Sequence, residues 1–143
     1  MPIARLNRDT LRQLCDDRLR EADVLLNARC WTGAYYLTGL AIECALKSCL
    51  AGAVNQHDFP DKEFVNKMYV HKLTTLFELN GALWAKFQSD FQRDSKLRVN
   101  WSVVKDWDDS KRYAQVDELS ARQLFEAATE SGSGVLDWVR GKW

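Results

Sequence analysis

The sequence predicts an all-α fold, an up-and-down helical bundle of five to seven helices that forms one domain over residues 1–143. Two observations predict this fold. Apolar residues recur every three or four positions along most of the chain, which is the spacing of one face of an α-helix. The one segment with strand-like alternation, residues 97–107, has no evident partner strand, and a lone strand is not stable.

The composition is typical of a globular protein. The chain has 143 residues, of which 46% are hydrophobic and 28% are charged, and this length is enough for one hydrophobic core but not for two. The 20 basic and 20 acidic side chains cancel. A protein that binds duplex DNA needs a net positive face, so this balance of charges argues against such a partner.

The most apolar segment, residues 34–54, carries Glu43 and Lys47 near its centre. Charged side chains are costly inside a bilayer, so we expect this segment to be a buried helix rather than a membrane span. The N-terminal residues lack the apolar stretch of a signal peptide. We therefore expect a cytoplasmic protein with no membrane partner.

Two long helices are predicted first. The first covers about residues 10–28 and begins at a capping box formed by Thr10 and Gln13. The second covers about residues 32–53 and is apolar nearly all round, as expected of the central helix of a bundle.

Shorter elements are predicted next. Residues 55–61 are predicted to form a loop, and short helices follow at residues 62–68 and 72–79. Asn80 and Gly81 indicate a helix stop. Another helix follows from four apolar residues at helical spacing: Leu83, Trp84, Phe87 and Phe91.

The last part of the chain contains one ambiguous segment and one clear helix. Residues 97–107 are predicted to form a short helix or an irregular aromatic connection. Residues 121–139 follow the three-four rhythm of a final helix throughout. Serine and glycine alternate at residues 131–134, and we expect them to kink or loosen that helix.

Charged side chains on the first two helices predict a contact between them. Tyr36, Glu43 and Lys47 converge on one narrow sector of the second helix, and Arg18 lies at the centre of the apolar face of the first. Because a buried charge is costly unless paired, we predict a structural ion pair between Arg18 and Glu43. Lys47 lies one turn after Glu43 and can pair with it along the helix.

Residues 107–113 combine charged and aromatic side chains in a turn-like segment. Arg112 stands beside Tyr113. A guanidinium group binds phosphate through its fork, and an aromatic ring stacks on bases. The alternative is a packed loop in which Arg112 bonds to Asp108 or Asp109.

No metal site, cofactor or catalytic motif is predicted. The four cysteines include no closely spaced pair, and neither His57 nor His71 lies at zinc-ligand spacing from a cysteine. We expect the cysteines to be free thiols. His71 is expected to cap or pack at the start of a helix.

Residues 33–47 resemble the second-helix signature of HEPN-domain proteins, which are small helical bundles. Three further features agree with this resemblance: His71-Lys72-Leu73 at the start of a helix, the tryptophan-rich stretch ending in Arg112-Tyr113, and Ala121, Leu124 and Ala128 in the last helix. The resemblance covers roughly residues 10–140 as one domain. It implies a homodimer, often found beside a nucleotidyltransferase-type partner protein in toxin–antitoxin or defence systems.

Many proteins of this family are metal-independent ribonucleases. Their motif is an arginine followed four to six residues later by a histidine. The arginine stabilises charge on the phosphate, and the histidine moves protons during attack by the ribose 2′-OH. Arg112 corresponds to that arginine, but no histidine follows it, so the resemblance implies the fold more strongly than the activity.

Three functions stay open at this point. The first is a non-catalytic HEPN-like module that dimerises and binds RNA, a nucleotide or a partner protein, with four residues lining its cleft: Glu43, Lys47, Arg112 and Tyr113. The second is a divergent metal-independent ribonuclease that uses Arg112 with Tyr113 or a displaced histidine. The third is a protein–protein adaptor whose exposed Trp138 and Trp143 contribute to an apolar surface.

Overall fold

The structure, a computed structural model, describes residues 5–54 and 57–143, and every regular element in those ranges is helical. The predicted all-α bundle is confirmed. The described ranges contain eight α-helices and one short 3-10 helix. This is more than the predicted five to seven, mainly because the predicted final helix is in fact two.

Helices α1 (Arg8–Asn27) and α2 (Trp31–Ala53) pack along one another. Helix α1 begins earlier than predicted because Asn7 caps it. Asn7 Oδ1 accepts a hydrogen bond from the backbone N–H of Thr10 (2.9 Å), and Thr10 Oγ1 accepts one from the backbone N–H of Asn7 (2.8 Å). The capping box therefore joins Asn7 to Thr10, and the predicted box of Thr10 with Gln13 is wrong.

Four shorter helices follow: α3 (Lys62–Met68), α4 (Leu73–Leu79), α5 (Gly81–Arg93) and α6 (Ser95–Val104). The predicted stop at Asn80 is confirmed, since this residue ends α4 and its side chain caps α5 by accepting from the backbone N–H of Leu83 at 3.3 Å. Of the predicted loop, residues 55 and 56 lie outside the described ranges. Most of the ambiguous segment is the helix α6.

The predicted final helix is interrupted at residues 130–134, between α7 (Glu118–Thr129) and α8 (Val135–Arg140). Gly132 has a φ of +82°, a conformation that glycine adopts without steric cost. A Cβ atom at Gly134 would lie 2.5 Å from the carbonyl oxygen of Ala128. The two glycines therefore allow a tight turn that returns α8 to the core.

Helix α2 is the centre of the bundle, and α1, α4, α7, α8 and the 3-10 helix pack against it. A cluster of aromatic rings fills the space between the shorter helices: Phe77, Trp84, Phe87, Trp101 and Trp138. Trp138 is buried and its indole N–H donates to Asp90 at 2.9 Å. The prediction that Trp138 is exposed is therefore wrong, and Trp143 is only partly exposed.

Trp107 fixes the position of the 3-10 helix (Asp109–Tyr113) on α2. Its buried indole lies directly over Gly39, where a Cβ atom would approach the ring to 1.9 Å. Tyr36, one turn before Gly39, stacks on the same ring with centroids 6.1 Å apart. The absence of a side chain at Gly39 thus lets the segment that carries Arg112 approach α2 closely.

Candidate functional site

The polar residues of α2 form a stripe along one side of the helix. Tyr36 and Glu43 are seven residues apart, almost two full turns, so they lie nearly in line and about 10 Å apart along the axis. Lys47 continues the stripe one turn further. The 3-10 helix packs against α2 and carries Arg112 beside the hydroxyl of Tyr36. His71, which contacts Glu43, lies two residues before α4.

Glu43 is a buried carboxylate with two cationic or polar partners. Its side chain is 7% exposed, its Oε1 lies 2.6 Å from Nδ1 of His71, and its Oε2 lies 3.8 Å from Nζ of Lys47. A buried carboxylate is tolerated when such partners satisfy it. The predicted pairing of Lys47 with Glu43 is confirmed at this distance.

His71 is a functional candidate that the predicted site residues do not include, although a displaced histidine was one alternative. An ionised carboxylate only accepts hydrogen bonds, so Nδ1 of His71 donates to Glu43. In the neutral ring this leaves Nε2 as an acceptor, and the His71 side chain is 49% exposed. A carboxylate-held imidazole of this kind can accept a proton from a bound molecule. Its position two residues before α4, 28 residues from Glu43, offered no local signal.

The predicted ion pair between Arg18 and Glu43 is not formed, although both residues lie in the described part of the chain. Arg18 Nη1 instead bonds to Oε2 of Glu21 at 2.8 Å, with both side chains partly exposed. A partner one turn later on the same helix keeps the guanidinium in contact with water. Glu43 accepts a hydrogen bond from His71. Because Arg18 and Glu43 each have another partner, burial does not require them to pair with one another.

Arg112 is exposed and lies over the ring of Tyr113, 4.8 Å from its centre. The neighbouring hydroxyl of Tyr36, and then that of Tyr113, raises the pKa of Arg112 above its ordinary value. The guanidinium is therefore a permanent cation. Tyr113 is 78% exposed, so the pair forms a charged and aromatic patch on the surface.

The carboxylates near Arg112 are engaged elsewhere. Asp108 caps the 3-10 helix and accepts from the backbone N–H of Ser110 at 2.8 Å and from its hydroxyl. These bonds, with the hydroxyl first, lower the pKa of Asp108. Within the described residues, Arg112 forms no ion pair with Asp108 or Asp109, which disfavours the packed-loop alternative.

The four predicted site residues form two pairs rather than one cluster. Glu43 contacts Lys47, and Arg112 contacts Tyr113. Tyr36, which neighbours Arg112, lies about two turns of α2 before Glu43. A cavity of about 260 Å³ beside the 3-10 helix has Lys111 and Gln115 among its lining residues, but neither Arg112 nor Tyr113. The structure therefore offers two separate contact points on one side of α2.

Other chemistry is limited in the described part of the chain. The four cysteines are free, and the described residues contain no cluster of three or more side chains able to hold a metal ion. Helix α2 is long, but neither it nor any other described helix combines the length and apolar character needed to cross a bilayer.

Comparison with known proteins adds no further assignment. No protein-family model, no characterised protein and no solved structure matches this chain.

Proposed function

We propose that this protein is a non-catalytic, HEPN-like module that binds RNA or a nucleotide through Arg112 and Tyr113. One observation carries the proposal: the guanidinium of Arg112 is exposed, has no carboxylate partner among the described residues and lies against an exposed aromatic ring. A guanidinium without a carboxylate partner can bind a phosphate, and the outer face of the Tyr113 ring can stack on the attached base.

The surrounding charges set the expected strength of binding. Asp106, Asp108 and Asp109 lie close in sequence to Arg112, and the net charge of the chain is zero. We therefore expect one phosphate contact per chain and weak affinity. For single strands each contact contributes a slope of roughly −0.7 in log K against log salt concentration, so the measured slope should be near that value.

The test is fluorescence anisotropy with a labelled single-stranded oligoribonucleotide. Arg112→Gln removes a charge-assisted bond and should weaken binding roughly tenfold. Tyr113→Ala should weaken it as well, whereas Tyr113→Phe should not, because the ring rather than the hydroxyl stacks on the base. Arg98→Gln is the matched control, since Arg98 is another exposed arginine, on α6. Equal affinity of wild type and Arg112→Gln would refute the proposal.

A second candidate function is a metal-independent ribonuclease, and the Glu43–His71 contact favours it. His71 Nε2 would take the proton of a ribose 2′-OH, whose oxygen would attack the phosphorus. The bond to the 5′ oxygen would break, and that oxygen would leave with a proton from water, giving a 2′,3′-cyclic phosphate. Tyr36, whose hydroxyl neighbours Arg112, lies about 10 Å along α2 from Glu43, and this spacing favours binding over catalysis at a single phosphate.

Incubation with RNA in EDTA separates the two functions. Cleavage that disappears in both His71→Ala and Arg112→Gln would establish the ribonuclease. No cleavage, together with RNA binding that depends on Arg112, would establish the binding module. His57→Ala is the control for loss of a histidine, because His57 is exposed and lies far from Glu43 in sequence.

Dimerisation is a separate part of the proposal and rests on the resemblance to HEPN domains. Sedimentation velocity at micromolar concentration measures it directly. A dimer supports this part, and a strict monomer refutes it without affecting the RNA-binding test. A nucleotidyltransferase-type partner encoded beside this protein would be sought by co-purification of the two coexpressed chains.

A further inference from the structure

A second cationic site lies at the other end of the bundle. An open cavity of about 310 Å³ lies between the start of α1, the last turns of α2, the start of α5 and the residues after α8. Arg8, Arg12 and Lys142 are among its lining residues, and no described lining residue is acidic. Three cations therefore share one concave surface.

Two of the residues that line this cavity carry a buried hydrogen-bond donor. Arg12 Nε and Trp143 Nε1 are both buried and have no hydrogen-bond partner among the described residues. The guanidinium of Arg12 lies 5.1 Å from the centre of the Trp143 ring. Buried donors are nearly always satisfied in folded proteins, so the wall of this cavity holds more donors than the described residues satisfy.

The protein supplies little negative charge to this cavity. In the described part of the chain, Arg12 and Lys142 form no ion pair, and Arg8 only approaches the exposed Asp9, at 3.6 Å. Burial raises the pKa of the Cys49 thiol, with Ser48 and Arg12 acting in the opposite direction. The thiol is therefore neutral at physiological pH and adds no anion.

We propose that this cavity binds a small phosphate anion, as pyrophosphate or as the phosphate of a mononucleotide. The Arg12 guanidinium and the Lys142 ammonium donate to its oxygens, and Arg8 adds positive charge. A volume of 310 Å³ is at the lower end of ligand pockets, which favours a small ligand over a nucleic-acid strand. The cations also lie near the C-terminal end of α2, where positive charge stabilises the helix dipole. This structural role alone does not explain why the Arg12 Nε donor has no acceptor among the described residues.

Calorimetric titration at low ionic strength tests the site, using pyrophosphate, AMP and adenosine. Pyrophosphate or AMP should bind and adenosine should not, and the phosphate-bearing probe that binds more tightly identifies the source of the anion. The double variant Arg12→Gln/Lys142→Gln should lose at least tenfold in affinity. The control Arg98→Gln/Lys105→Gln removes two exposed positive charges elsewhere and should bind as wild type.

A second measurement uses the unmodified chain and does not depend on how the variants fold. In proton–nitrogen spectra, added pyrophosphate should shift the indole N–H signal of Trp143. The indole of Trp107 is also buried without a partner, but it lies against Gly39, so its signal should not move. Absence of binding by both anions, or an unmoved Trp143 signal, would overturn the proposal.

This site is independent of the proposed RNA contact. The two share no residue, so Arg112→Gln should bind pyrophosphate at the cavity with wild-type affinity. A loss of pyrophosphate binding in Arg112→Gln would assign the anion to the Arg112 patch and refute the cavity site.

Discussion

Replacement of Gly39 by alanine should destabilise the protein, although alanine is the better helix former. A Cβ atom at this position would lie 1.9 to 2.1 Å from three atoms of the Trp107 indole. Ordinary contacts of a Cβ atom begin at 3.4 Å, so the ring must move by about 1.5 Å. Because interiors are close-packed, a buried indole has little room for such a shift.

The size of the effect follows from two opposing terms. Alanine in place of glycine in a helix interior stabilises by about 1 kcal/mol. Overpacking a core costs about 1–3 kcal/mol, and loss of the packing of a buried tryptophan costs about 3–5 kcal/mol. We expect a net loss of about 2 kcal/mol in the free energy of unfolding, or roughly 6 °C in Tm for a chain of this length.

Urea unfolding followed by circular dichroism measures this loss. Gly52→Ala is the matched control in the same helix, because a Cβ atom there meets only the Arg8 side chain, at 3.5 Å. It should leave stability unchanged or raise it by up to about 1 kcal/mol. In a double-mutant cycle with Trp107→Ala, the cost of Gly39→Ala should largely vanish. If Gly39→Ala is as stable as wild type, the packing argument is refuted.

Two further predictions concern titratable groups. Burial raises the pKa of Cys15 to about 12 and that of Cys44 to about 11, so a thiol reagent at pH 8 should label the exposed Cys30 quickly and these two only after unfolding. Fast labelling of Cys15 or Cys44 would contradict this expectation. The hydroxyl of Ser133, and then backbone N–H groups at the start of α6, lower the pKa of Asp94 below its ordinary 3.8. The contribution of Asp94 to stability is therefore complete above pH 3.8 and is lost as the pH falls through the lowered pKa. In acid titrations followed by circular dichroism, the free energy of unfolding of Asp94→Asn should therefore fall less steeply with decreasing pH than that of wild type.

The long helices could be predicted from sequence because the apolar spacing that marks each of them lies within one continuous segment. Helix α2 starts one residue before its predicted start and ends where predicted, and α3 matches its predicted bounds. The division between α7 and α8 could not be predicted in the same way. Residues on both sides of the break pack into the same core, so the three-four rhythm continues across Gly132 and Gly134. The spacing of apolar residues indicates which residues are buried. It does not indicate whether two successive helical segments form one continuous helix.

The candidate site was predictable only in part, for a related reason. Helical spacing correctly put Glu43 and Lys47 one turn apart. It could not identify the partner of Glu43, because a partner on another helix depends on how the helices are arranged in space. Arg18 has a nearer partner on its own helix in Glu21, and His71 reaches Glu43 from before α4.

The position of Gly39 makes it possible to perturb one contact point without the other. It lies on α2 between Tyr36, which contacts the Trp107 segment, and Glu43, which contacts His71. An alanine at Gly39 displaces Trp107, and Trp107 directly precedes the residues that hold Arg112. The Glu43–His71 contact is made by a residue two positions before α4 and does not involve Trp107. In conditions where the variant is folded, RNA binding through Arg112 should therefore weaken in Gly39→Ala, while a reaction that needs only the Glu43–His71 pair should persist.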